Sequence, residues 1–163
     1  YGTSPFSLAK QLGTSTSEAK IFIDLYFERH PKVLTFHEKC IKEAEKKGFS
    51  ETMLGRKRPV PELKSKNKII QQAGRRIALN TPIQGTAADL IKKAMRDIWE
   101  EINNNQLSSK IILQVHDELV FEVPDAEQKL LEQIVKNKME NVLSLKVPLK
   151  VHLGWGVNWA EAK

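Results

Sequence analysis

Three ionisable residues, His116, Asp117 and Glu118, stand between two short runs of β-forming apolar residues. A tight hairpin joining two such strands would hold both carboxylates at its tip on a rigid scaffold. Mg²⁺ and Mn²⁺ prefer oxygen ligands, and Mg²⁺ usually takes one or two carboxylates together with substrate phosphates. Polar residues are also common in hairpin turns that carry no chemistry, so the spacing alone leaves a metal site and a plain turn both open.

Arg76, Asn80 and Gln84 recur at intervals of four residues, so a continuous helix would carry them as one slowly drifting polar stripe. Asn and Gln can hydrogen-bond to base or sugar edges, and Arg can clamp a phosphate. The stripe therefore fits a nucleic-acid contact. It also fits an ordinary solvent face on which Gln84 acts as a helix-cap residue.

Positive charge is concentrated in residues 39–76, which contain twelve Lys or Arg and four acidic residues, a local charge of +8 in a chain of net charge +6. Within this segment a basic turn, residues 54–58, places Arg56 and Arg58 where they could meet phosphate. Concentrated positive charge attracts polyanions such as a nucleic-acid backbone, although a solvated Lys-rich face would have the same composition.

The first part of the chain, up to Gly48, is predicted to be mainly helical. A helix over residues 4–12 is followed by a capping box, Ser15 with Glu18, that starts the next helix. Pro31 is expected to kink or break that helix, and Gly48 ends the helical pattern that follows it.

The middle of the chain predicts a hairpin and then a long helix. Residues 49–63 form an irregular hairpin pattern with Gly55 at the turn. Residues 68–103 predict one kinked helix or two helices divided at Pro82, where Thr81 to Gln84 has the pattern of a second capping box.

Residues 110–123 give the strongest strand signal, two apolar runs expected to be buried on both faces or nearly so. Asp125 is expected to cap a helix running to about residue 145, and residues 149–153 predict a last strand. Because helices and strands are segregated along the chain, the predicted class is α+β. The expected arrangement is a long kinked helix packed on an antiparallel hairpin, plus the C-terminal strand.

Composition excludes several classes. The 163 residues are 40% hydrophobic and 28% charged, as in globular proteins. No apolar run approaches the ~20 residues that span a bilayer, and the N-terminus lacks a signal-peptide pattern, so we expect no membrane partner. A single cysteine, Cys40, excludes an intramolecular disulfide and a Cys-cluster zinc site. The chain begins at Tyr1 rather than Met, as expected for a piece of a longer protein.

Four blocks, in matching order and spacing, resemble the polymerase domain of family A, DNA-polymerase-I-like DNA polymerases. Residues 114–119, QVHDEL, resemble the family's motif C, and residues 76–89, which include NTPIQGTAAD, resemble its Q helix. Residues 24–31 and 52–58 also match, so the resemblance covers essentially the whole chain.

The resemblance implies that residues 1–70 finish the fingers subdomain and that residues 71–163 form the C-terminal part of the palm. Asp117 would be the second of two metal-binding aspartates. Glu118 would have a lesser role beside it, and His116 would lie near the primer 3′ terminus.

DNA and nucleotide contacts follow from the same resemblance. Arg76, Asn80 and Gln84 would contact the primer–template, mainly in its minor groove, where shared acceptors allow a test of base-pair shape without reading sequence. Tyr1, as the end of motif B, would form the back of the nascent-base-pair pocket. Arg56 and Arg58 would add contacts to DNA.

The implied reaction is in-line attack of a primer 3′-OH on the α-phosphate of a dNTP, with two Mg²⁺ ions about 3.5–4 Å apart. The motif A aspartate and the O-helix Lys and Arg are not in this sequence. The chain alone is therefore expected to be inactive, and to work as part of a larger, monomeric parent. That parent would act in DNA replication or repair, in a bacterial cytoplasm or a eukaryotic organelle.

Three alternatives stay open. A non-catalytic nucleic-acid-binding module would bind duplex with strong salt dependence and no metal. A metal-dependent nuclease would need further carboxylates near Asp117 and Glu118, and Asp89, Asp97 and Asp125 show no motif that places them there. A folded but inactive structural piece is compatible with the polymerase assignment.

Overall fold

The computed structural model describes residues 2–162, which fall into two compact units that divide between Thr86 and Ala87. Each unit combines helices with one antiparallel hairpin, which confirms the predicted α+β class. The helices are α1 (Pro5–Leu12), α2 (Thr16–Arg29), α3 (Pro31–Lys47), α4 (Lys68–Asn80), α5 (Thr86–Asn104) and α6 (Gln128–Glu140). The strands are β1 (Phe49–Glu51), β2 (Lys57–Pro59), β3 (Lys110–Val115) and β4 (Glu118–Glu122).

Local capping signals set the ends of the first helices as predicted. The Ser15 hydroxyl accepts from the Glu18 amide, and the Glu18 carboxylate accepts from the Ser15 amide, so the capping box is confirmed. Pro31 is the first residue of α3, and Gly48 ends that helix in the left-handed conformation at φ 80°. These signals succeed because each acts within one turn of helix.

The first unit packs α3, the β1–β2 hairpin and α4 around a small apolar core. The hairpin pairs Phe49 with Pro59, and its turn includes Gly55 at φ 85°, as predicted. Two short segments link it to α4: a 3₁₀ turn over Pro61–Lys64 and the loop that follows. The buried core residues are Ala44, Val60, Leu63 and Ala78.

The second unit packs α5 and α6 against one face of the β3–β4 hairpin. Ile98 and Ile102 of α5 lie in a buried cluster with residues of α6, and Phe121 of β4 packs against that cluster. The predicted packing of a long helix on the hairpin is therefore confirmed. No helix in residues 2–162 is both long enough and apolar enough to cross a bilayer.

The prediction that the β3–β4 hairpin is buried on both faces, or nearly so, is wrong. Ile112 is 56% exposed and Leu113 is 43% exposed, whereas Ile111 packs on the core. The pairing is irregular between Ile111 and Leu113. Within the described chain, helices cover only one face of this two-stranded sheet.

Two predictions for the C-terminal third are also wrong. Asp125 does not cap a helix: it opens a 3₁₀ turn, and α6 begins at Gln128 and ends at Glu140. Residues 149–153 lie in the described part of the chain and form no strand. The Val151 amide donates to the Glu140 carboxylate at 3.1 Å, so a side chain takes the place of a ladder partner.

The helix interruption at Pro82 takes a form that the sequence did not specify. A π-helical turn, Thr81–Gly85, connects α4 to α5. The predicted capping box is wrong, because Thr81 has helical angles of φ −57° and ψ −48°. Its hydroxyl donates backwards to the Ile77 carbonyl at 2.8 Å instead of capping a new helix.

Candidate functional site

His116 and Asp117 form the tip of the β3–β4 hairpin. Val115 pairs with Glu118 across the ladder, which leaves a two-residue turn. His116 has φ 52°, a left-handed conformation that is uncommon for a residue with a Cβ. The Gln114 side-chain amide donates to the His116 carbonyl at 3.1 Å and braces this turn. Strained residues often lie at functional sites, so the geometry fits the prediction of a site at this tip.

Both carboxylates of the predicted site, Asp117 and Glu118, are exposed. Glu118 also lines an open cavity of about 490 Å³ together with Trp159, Ala160 and Ala162. The structure therefore brings His116, Asp117 and Glu118 together at one hairpin tip, with a cavity beside Glu118.

The donor set at the tip fits a divalent cation that takes one or two carboxylate oxygens from this chain. Among the described residues, no group of three or more His, Cys, Asp or Glu side chains is arranged to hold a metal ion. A cation at Asp117 would therefore complete its coordination with water, substrate oxygens or further protein groups, as Mg²⁺ commonly does.

The predicted polar stripe lies in the first unit, on α4 and the π turn. Arg76 and Gln84 are exposed, while Asn80 is partly buried and its Oδ1 atom has no hydrogen-bond partner within the described structure. On a regular α-helix each four-residue step drifts by about 40°. The wider π turn has more residues per turn, which reduces the drift between Asn80 and Gln84.

Gly2 lies against the aliphatic stem of Arg76. A Cβ built on Gly2 would approach the Arg76 Cγ atom to 3.1 Å, and the φ of Gly2 is 76°. Tyr1, predicted to contact the nucleotide, lies outside the described residues, so its role stays a prediction.

The two arginines of the basic turn differ in what they contact. The Arg56 guanidinium donates to the Gly85 carbonyl at 2.9 Å, so one of its donors faces the π turn. Arg58 is exposed on β2, opposite Ser50 in the strand register. Beside it, the Lys57 ammonium lies 4.9 Å from the centre of the Phe49 ring. The sequence patterns did not indicate the contact between Arg56 and the helix.

Ser50 is a further contact residue that no sequence motif indicates. It is buried, and its hydroxyl donates to the Ala78 carbonyl at 3.0 Å. The available signal was Pro82: a proline inside a helix lacks the N–H that would bond to the carbonyl four residues earlier, which here belongs to Ala78. Pro82 therefore signals a carbonyl at Ala78 that needs another donor, but it does not identify Ser50 as that donor.

Comparison with known proteins gives a consistent result over the full length of the chain. The sequence model described as DNA polymerase family A matches residues 1–161. DNA polymerase I of Caldicellulosiruptor bescii is 46% identical over 163 residues, which are 100% of this chain and 19% of that protein. DNA polymerase I of Bacillus subtilis is 45% identical over the same 163 residues, 18% of its length. The chain thus spans about a fifth of the curated relatives it matches.

A solved structure agrees with the sequence comparison. The chain superposes on the POL domain of Pol1 from M. smegmatis, in complex with DNA primer-template and dNTP, with a TM-score of 0.94 and 46% identity. The match covers 98% of this chain and 28% of that chain.

Proposed function

This chain belongs to DNA polymerase family A, and we propose that it works as part of a template-directed DNA polymerase. The activity is transfer of a nucleotide from a dNTP to a primer 3′-OH. The observation that carries the proposal is the braced hairpin tip that presents Asp117, within a chain that matches the family along its length. The solved relative bound to primer-template and dNTP supports those two partners.

In this proposal the hairpin tip supplies one carboxylate of a two-metal site. Two Mg²⁺ ions, when bound, would stabilise the attacking and leaving oxygens of the in-line displacement. Asp117 holds metal, Glu118 borders the site, and His116 lies near the primer terminus. Fixed positions matter here because phosphoryl transfer depends mainly on positioning and electrostatic stabilisation.

The stripe on α4 and the π turn contacts DNA. Arg76, Asn80 and Gln84 present donors and acceptors suited to the minor groove, where Watson–Crick pairs share acceptor positions. Arg56 and Arg58 add positive charge near the duplex. Residues 1–70 belong to the fingers and residues 71–163 to the palm in this assignment.

We also propose that the 163-residue chain does not catalyse by itself. Among its described residues, the only acidic side chain adjacent to Asp117 in sequence is Glu118, and a two-metal site needs a second well-placed aspartate. The rest of a polymerase would supply that aspartate and the cations that meet the triphosphate.

Primer extension by the full-length polymerase that contains this chain tests the proposal. Asp117→Ala is expected to abolish nucleotide addition while leaving the Kd for primer–template largely unchanged. Glu122→Ala is a matched control, because Glu122 is an exposed carboxylate at the other end of the same strand. Near-normal extension by Asp117→Ala would remove the metal-ligand role.

A non-catalytic nucleic-acid-binding module is the second candidate, favoured by the +8 charge of residues 39–76. Such a module would bind duplex without a metal, and its affinity would fall steeply with salt concentration. Extension activity that requires Asp117 separates the two candidates, because pure DNA binding does not depend on that carboxylate.

A further inference from the structure

The β1–β2 hairpin makes contact with the helix at the point where Pro82 interrupts it. In an α-helix the amide of residue 82 would bond to the carbonyl of residue 78, but proline has no N–H. The Ser50 hydroxyl instead donates to the Ala78 carbonyl at 3.0 Å, in a buried position. A side chain from β1 thus supplies the hydrogen bond that Pro82 removes.

Two more contacts attach the same hairpin to the far end of the π turn. The Met53 amide donates to the Thr86 hydroxyl at 2.9 Å, and the Arg56 guanidinium donates to the Gly85 carbonyl at 2.9 Å. The Thr86 hydroxyl in turn donates to the Pro82 carbonyl at 2.5 Å. The hairpin therefore holds the helix on both sides of the turn.

The loop between β1 and β2 also packs directly on Gly85. A Cβ placed on Gly85 would come within 2.8 Å of the Thr52 methyl group. Thr52 cannot move freely, because its amide and its hydroxyl bond to the backbone of Arg56 within the loop. The π turn therefore rests against a closed, internally bonded loop.

Gln84 lies inside the turn that these contacts hold. A π turn takes up one residue more than an α turn. If the segment relaxed to α geometry, the step from Asn80 to Gln84 would take the α-helical drift of about 40°, and Gln84 would change its direction relative to Asn80. The exposed Gln84 side chain would then point in a different direction from the one that the π turn fixes.

We propose that Ser50 and Arg56 are positioning residues that hold the π turn and so direct Gln84 toward the primer–template duplex. This inference rests on the proposed polymerase function. It gives Arg56 a second role in addition to charge near DNA, and it gives Ser50 a role that no sequence motif assigned.

The first arm of the test measures the turn itself, in the full-length polymerase without DNA. Ser50→Ala and Arg56→Lys should speed amide hydrogen exchange in residues 81–86. Thr35→Val is the control, because the Thr35 hydroxyl makes a similar bond to the Pro31 carbonyl at 3.1 Å on α3. Exchange that is unchanged in Ser50→Ala would overturn the bracing contact.

The second arm measures function by primer extension. Ser50→Ala should lower kcat/KM for primer–template by roughly threefold to tenfold, as expected for loss of one buried hydrogen bond. In a Gln84→Ala background the same change should have an effect of less than about twofold, because Gln84 is then no longer there to be positioned.

Multiplicative effects of Ser50→Ala and Gln84→Ala would refute the positioning role, even if hydrogen exchange had changed. Failure of the wild-type polymerase to extend primers would instead refute the proposed function, and the positioning role would fall with it. Thr35→Val is expected to match wild type in both arms.

Discussion

The left-handed conformation of His116 should affect the stability of variants at the hairpin tip. At most helix or strand positions, Gly is less stable than Ala by roughly 0.5–1 kcal/mol. His116 has φ 52°, where a Cβ costs about 1–2 kcal/mol. We therefore expect His116→Gly to be more stable than His116→Ala, by about 0–1.5 kcal/mol after the two terms are combined.

The two variants form a matched pair, because both lack the imidazole and they differ only by the Cβ. Urea or thermal unfolding of the polymerase, followed under identical conditions, gives the stability difference. Both variants should lose extension activity if His116 lies near the primer terminus. An Ala variant that is measurably more stable than the Gly variant would show that the turn is not strained.

Three further predictions concern the core, a carboxylate and DNA binding. Ile98→Ala should lower the free energy of unfolding by about 2–5 kcal/mol, because the Ile98 side chain is 0% exposed. Ile112→Val, at a site that is 56% exposed, should change the free energy of unfolding by less than about 0.5 kcal/mol. Equal effects of the two variants in melting experiments would contradict the packing. The Ser109 hydroxyl and nearby amides hold the pKa of Glu127 below its usual value of 4.5. The hydrogen bonds to the Glu127 carboxylate therefore stabilise the fold fully above about pH 4.5, and this stabilisation is lost as pH falls through the folded-state pKa. The difference in melting temperature between wild type and Glu127→Gln should therefore become smaller on acidification. Arg76→Ala should weaken primer–template binding or slow extension, and a variant unchanged in both would remove its minor-groove role.

Sequence patterns predicted the features of the fold that depend on neighbouring residues. The capping box at Ser15, the break at Pro31 and the hairpin around Gly55 all involve contacts within a few residues, and all are confirmed. The tight turn at His116–Asp117 belongs to the same class, because two apolar runs separated by polar residues define it.

The errors occur where distant residues decide the outcome. Thr81 has a capping pattern, but the chain continues through a π turn. The Ser50 hydroxyl bonds to the helix just before that turn, and the Arg56 guanidinium bonds to the turn itself. Residues 149–153 have strand-forming composition, yet the Glu140 carboxylate occupies the Val151 amide. Asp125 could have capped α6, but the chain first forms a 3₁₀ turn, and Glu127 accepts bonds from Ser108 and Ser109.

The candidate site also divides into residues that local sequence patterns indicate and residues that only distant contacts bring to it. The tip residues could be chosen from sequence because they interrupt a strong strand pattern. The bonds from Ser50 to the Ala78 carbonyl of α4 and from Arg56 to the Gly85 carbonyl of the π turn could not, because they join residues 28 and 29 positions apart.

Counting bound metal ions tests the central claim most directly. Mn²⁺ can stand in for Mg²⁺ at oxygen-rich sites, and its binding to the full-length polymerase with primer–template and a non-hydrolysable dNTP can be followed by electron paramagnetic resonance. Asp117→Asn is predicted to lose at least one ion or to weaken Mn²⁺ binding strongly, while Glu122→Gln keeps the wild-type isotherm. Identical Mn²⁺ stoichiometry and affinity in wild type and Asp117→Asn would contradict the assignment of Asp117 as a metal ligand.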